Sequence, residues 1–80
     1  MSAATDSNTS TIYIVLLDEG TTVLRPTQGI ARGEDVYEVL AIPGYDPDDE
    51  HWEFTPGNVV KCEQEIRGGE EILVARSLAG

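Results

Sequence analysis

The chain predicts an all-β domain, a small five-stranded barrel of SH3-like type, with an OB-type barrel as the alternative. Three observations carry that class. Apolar residues fall in short β-branched runs, Gly and Pro punctuate those runs, and no stretch repeats apolar residues at helical spacing without a Gly or Pro inside it. Closing such a set of strands removes exposed edges.

The elements follow in order. Thr11-Ile12-Tyr13-Ile14-Val15-Leu16-Leu17 is β-branched, aromatic and apolar, and stops at Asp18-Glu19-Gly20, so it predicts a central strand and a turn. Thr22-Val23-Leu24-Arg25 predicts a second strand whose far end Pro26 places at an edge or bend, with Gly29 breaking the segment. Arg32-Gly33-Glu34 turns into a third strand over residues 35–42, which Pro43-Gly44 ends.

Residues 43–51 hold acids and prolines and predict a loop; Trp52-Glu53-Phe54 alternates and then meets Pro56-Gly57. Residues 59–66 form a fourth strand: Lys61, Glu63 and Glu65 share one parity, which turns Val60, Cys62 and Ile66 inward. Arg67-Gly68-Gly69-Glu70 is a hairpin turn, and residues 71–76 close the set. The domain therefore spans 12–76. It follows a flexible Ser/Thr-rich tail at 1–11 and precedes a frayed end at 77–80.

Composition narrows the function classes. An 80-residue chain forms one domain and buries only about 60% of the surface its unfolded form exposes, which leaves little room for an enclosed catalytic cavity. Fifteen Asp plus Glu against five Lys plus Arg give a formal charge of −10, which repels nucleic acid and anionic membranes. At 40% hydrophobic the chain is not disordered by composition. The N-terminus has no cation and no apolar run of signal-peptide length, no segment is long enough to span a bilayer, and Cys62 alone makes no internal disulfide. The expected compartment is the cytoplasm.

Several arrangements invite chemistry. Asp46-Pro47-Asp48-Asp49-Glu50 begins like a calcium loop, but His51 stands where the sharp turn needs Gly and Gly57 where a bidentate Glu is needed. His51 and Cys62, single representatives of their types, make no zinc set, and Cys62 reads as a small buried hydrophobe rather than a nucleophile. Gly68-Gly69 lacks the Lys and the helix of a phosphate loop. No motif reads as an enzyme, and no cofactor or metal is expected.

Tyr45, Trp52 and Phe54 flank the carboxylates Asp46, Asp48, Asp49, Glu50 and Glu53. Tyr and Trp anchor interfaces, and aromatic surface ringed by negative charge suits a basic peptide or an Arg-rich patch. The competing expectation is that Trp52 and Phe54, two apart on one strand face, fill the core; for Phe54 that alternative is preferred.

Leu16-Leu17-Asp18-Glu19-Gly20, Val23 with Arg25-Pro26, Asp35-Val36-Tyr37-Glu38-Val39-Leu40, the stretch from Trp52 to Cys62 and the ending Glu71-Ile72-Leu73-Val74-Ala75 together carry a resemblance. The region from Ile12 to Ala75 resembles a family of short, uncharacterised bacterial small-β-barrel proteins. The resemblance implies a compact barrel of bacterial or phage origin and transfers no catalytic residue.

The expected function is a non-enzymatic interaction module that binds a protein partner through Tyr45, Asp46, Asp48, Asp49, Glu50, Trp52 and Glu53. The partner has a basic surface, with no direct nucleic acid and no membrane, and the chain is a monomer or weak homodimer. The alternative is an inhibitor whose charge imitates nucleic acid, of anti-restriction, anti-CRISPR or toxin-neutralising type. A small hydrolase or metal-dependent enzyme is the third class weighed.

Overall fold

Alternation along Ile12-Tyr13-Ile14-Val15-Leu16 turns Ile12, Ile14 and Leu16 to one side of a strand, where all three are buried. The computed structural model describes residues 9–79. Its elements are β1 (Thr9–Leu17), β2 (Val23–Gly33), β3 (Val36–Val39), β4 (His51–Trp52), β5 (Val59–Arg67) and β6 (Glu70–Leu78). The described residues contain no helix, and so none long and apolar enough to cross a membrane.

Five strands close into a ring. The pairs β1–β2, β2–β3, β3–β5 and β5–β6 are antiparallel, and β6 returns to β1 in parallel through Tyr13 and Val74. The parallel closure follows from the count: an up-and-down meander with an odd number of strands ends in the direction it began. The all-β class and the five-stranded ring are those the sequence predicts. The closing seam is narrow, and β4 occupies the rest of that β1 edge by pairing with Leu16 and Leu17.

The ring encloses Ile12, Ile14, Leu16, Val39, Trp52, Val60, Cys62 and Ala75, with Tyr37, Phe54 and Leu73 packed against them. Thr27, the buried polar side chain among them, donates its hydroxyl to the Leu40 carbonyl. In β6 a bulge lets Lys61 face Ser77 and Cys62 face Ala75, so Arg76 has no residue opposite it, and its guanidinium bonds Glu65 of β5.

Several boundaries differ from expectation. Thr9, Ser10 and Thr11, assigned to the tail, pair with Ile30, Gly29 and Gln28 and extend β1; the rest of the expected tail, 1–8, lies outside the described residues. At the other end Ser77 and Leu78 belong to β6, and the Ala79 N–H donates to the Val59 carbonyl at 2.9 Å, so these residues are held rather than frayed. The third strand stops at Val39 instead of residue 42, because the chain leaves β2 after one further bond, Leu40 N–H to the Gln28 carbonyl.

Pro26 does not end β2. The Gln28 carbonyl points toward β3, so the nitrogen of Pro26, two residues away, points the same way, and there β3 has already ended. Gly29 does not break the strand either. It lets two side chains approach: a Cβ there would meet Ile12 Cδ1 at 2.9 Å and Tyr37 Cβ at 3.0 Å.

Ile66 corrects the expected inward set. Val60 and Cys62 are buried as predicted, whereas Ile66 is 68% exposed. Its parity is right, but β3 reaches only Lys61, so the β5–β6 hairpin projects beyond the ring and Ile66 has no opposite wall.

Candidate functional site

The connection from β3 to β5 crosses one end of the ring and is built from local turns. Ile42-Pro43-Gly44-Tyr45 and Thr55-Pro56-Gly57-Asn58 each close with a backbone bond across the turn, at 3.0 and 3.2 Å, and carry Gly at φ +81° and +96°. Pro before a left-handed Gly is the type II arrangement. Between them Asp46 caps a single helical turn. Its carboxylate accepts the Asp48 N–H at 2.9 Å, and its carbonyl accepts the N–H groups of Asp49 and Glu50 at 3.0 and 3.1 Å. The residue that would open a calcium loop thus serves its own backbone. Among the described residues no group of three or more His, Cys, Asp and Glu is placed to hold a metal, and no pocket opens.

Glu50 ties this connection to the ring. Arg25 Nε donates to Glu50 Oε1 at 3.1 Å, the Arg25 Nη2 donates to Oε2, and the Trp52 indole N–H donates to Oε1 at 3.0 Å. The hydrogen bond from Arg25, then that from Trp52, holds the Glu50 carboxyl below the usual carboxylate range, and the same pairing raises Arg25. The next residues form β4, where Leu16 faces Trp52 and Leu17 faces His51.

The expected interface residues therefore divide. Asp46, Asp48 and Asp49 are exposed on one short turn, and Tyr45 is half-buried beside them. Trp52 is only 3% exposed and belongs to the core, so its ring is not a surface anchor: pairing with β1 turns it into the ring, and Glu50 satisfies its one polar atom. Tyr45 packs edge-on against it, ring centroids 4.6 Å apart at 62°. Phe54 packs on the core, as preferred. Glu50 is engaged by Arg25. Glu53 is exposed but turns elsewhere; its N–H donates to the Val15 carbonyl, and its charge acts on Arg76 together with Glu63 and Glu65.

The structure adds two residues. Asp18 and Glu19, read from the sequence as only a turn, sit at the same end of the ring. His51 Nδ1 lies 2.9 Å from Asp18 Oδ2, and the charge of Glu19 acts on Arg25. No sequence signal joins them to residues 46–50, because the β1–β4 pairing that does so links distant segments and brings together Asp18 and His51, 33 positions apart. The acidic end is thus two turns side by side: Asp18 and Glu19 from one, Asp46, Asp48 and Asp49 from the other.

Cys62 and His51 do not form a pair. His51 is exposed and faces Asp18, while Cys62 is buried in β5, where burial, then the Asp35 charge, pushes its thiol up to about 11. No protein-family model, no curated protein and no solved structure matches the chain.

Proposed function

We propose that this chain is a cytoplasmic, non-enzymatic interaction module that offers its acidic end to a protein with a basic surface. One observation carries the reading. The exposed carboxylates of two separate turns, Asp18 and Glu19 with Asp46, Asp48 and Asp49, meet at one end of the ring, and the arginine among them, Arg25, is held by Glu50. Such a concentration of one sign steers a basic partner and sets its orientation. Tyr45, half-exposed in the same loop, supplies aromatic contact area, with Trp52 behind it. Trp52 supports the surface rather than touching the partner.

The test compares affinity capture by the wild type and by a variant carrying Asp18→Asn, Glu19→Gln, Asp46→Asn, Asp48→Asn and Asp49→Asn. Asn at 46 keeps the capping oxygen, so the turn survives the loss of charge. The expected result is a basic protein retained by the wild type and lost by the variant, with unchanged circular dichroism. A partner held equally by both removes the acidic end from the interface. Steep release between low and moderate salt, with the fold unchanged, supports the charge-imitating inhibitor.

A further inference from the structure

The β5–β6 hairpin projects from the end of the ring opposite the acidic turns, and one of its edges is open. Gly68 and Gly69, at φ +59° and +84°, make a two-residue turn of type I′, so Arg67 and Glu70 form the hydrogen-bonded pair that closes it. Counting back along β5, residues 67, 65 and 63 direct their backbone groups to β6, and residues 66, 64 and 62 direct theirs away. The Cys62 N–H confirms the phase by donating to the Asp35 carbonyl at 2.7 Å. Beyond it β3 is absent, since its last pair is Val36 with Lys61. The outward N–H and C=O groups of Gln64 and Ile66 therefore have no partner among the described residues.

We propose that this edge pairs antiparallel with the same edge of a second copy of the chain, Gln64 opposite Ile66. The edge admits this register above its neighbours. Shifting the pairing one way runs into Cys62, already bonded to Asp35; shifting it the other way runs into the Gly68-Gly69 turn. With Gln64 opposite Ile66, all four free groups of each copy are satisfied around a two-fold axis at Glu65.

The charges agree. Glu63 of each copy comes opposite Arg67 of the other on the outer face. The two Glu65 side chains meet at the axis, but each is already held by its own Arg76, at 2.6 and 2.7 Å, and its own Arg67 at 2.8 Å. On the other face Ile66, 68% exposed, gains the methylenes of Gln64 from the second copy. The acidic turns point away from the axis, where salt screens their mutual repulsion. An edge this short makes a small interface, so the dimer belongs to the weak, concentration-dependent class. The proposal does not depend on the acidic end binding a partner.

The experiment is sedimentation equilibrium of the full chain at about 0.15 M salt, with amide exchange measured on the same samples. The mass is expected to stay near 8.7 kDa at low micromolar concentration and to rise reversibly toward twice that at near-millimolar. Exchange at Gln64 and Ile66 is expected to slow with concentration, while Glu63 and Glu65, already in the β6 ladder, do not change.

Ile66→Pro removes the outward N–H without touching the β6 ladder and is expected to abolish the dimer with the fold intact by circular dichroism. Glu63→Arg, which comes opposite Arg67 of the second copy, is expected to weaken association about threefold or more. A monomer at every concentration overturns the proposal and leaves the edge to a different strand. A dimer indifferent to Ile66→Pro or to Glu63→Arg overturns it as well.

Discussion

Arg25 and Glu50, 25 positions apart, are joined by two hydrogen bonds, and the Glu50 oxygen at 3.1 Å from Arg25 Nε also accepts the Trp52 indole N–H at 3.0 Å. One carboxylate thereby links strand β2, the connection across the ring and the aromatic residue that fills that end of the core. The acidic loop proposed as a binding surface is a braced one.

Removing that brace is expected to loosen the loop before the ring. In Glu50→Ala the Asp49 and Glu50 amides exchange faster, and the fluorescence of Trp52, the one tryptophan, shifts to the red. Glu50→Gln keeps an oxygen for the indole and shifts the emission less. Trp52→Ala strikes the core itself and costs about 3–5 kcal/mol in urea unfolding. Emission unchanged in Glu50→Ala would show that the indole is positioned by packing alone.

Gly29 is held by space rather than by backbone conformation. Gly29→Ala sets a methyl 2.9 Å from Ile12 Cδ1 and 3.0 Å from Tyr37 Cβ, and it is expected to destabilise the fold by about 1–3 kcal/mol. Ile12→Val in the same chain vacates the nearer contact and recovers part of that loss. A Gly29→Ala protein with wild-type midpoint would mean that both neighbours move freely.

Acid stability depends on Glu65. Hydrogen bonds from Arg76 and then Arg67 lower its carboxyl from 4.5 to about 2. A depressed carboxyl stabilises the fold above its unfolded value and loses that contribution as pH falls through its folded value. Stability is therefore expected to fall between pH 4.5 and about 2, more gently in Glu65→Gln, which no longer titrates there. Urea midpoints at several pH values in that window read the difference; identical slopes in both proteins would place the acid sensitivity at other carboxylates.

The Cys62 thiol is raised by burial to about 11, so it stays protonated and shielded at neutral pH. Native protein at pH 8 is expected to react with a thiol-specific disulfide reagent only as fast as it opens, and at once in guanidinium. Rapid native labelling would place Cys62 at the surface.

How far the fold was legible varies by element. The run from Ile12 to Leu17 announced a central strand by its β-branched, apolar make-up, and Arg67-Gly68-Gly69-Glu70 announced its hairpin, because both patterns are set by neighbours in the chain. Pro26 and Gly29 misled, since each is tolerated for a reason supplied by another strand: β3 ends before it reaches Pro26, and Ile12 and Tyr37 close over Gly29. Ile66 misled for the opposite reason, having the right parity and no wall to face.

The same division runs through the candidate site. The carboxylates at 46, 48 and 49 and the strand pattern were determined by the sequence alone, because composition, parity and turn chemistry are local properties. Tertiary structure decided that Trp52 turns into the core, that Glu50 is engaged by Arg25, and that Asp18 and Glu19 join the acidic end. Those outcomes depend on which edge of β1 receives β4, and strand pairing between distant segments is a choice that no local pattern records.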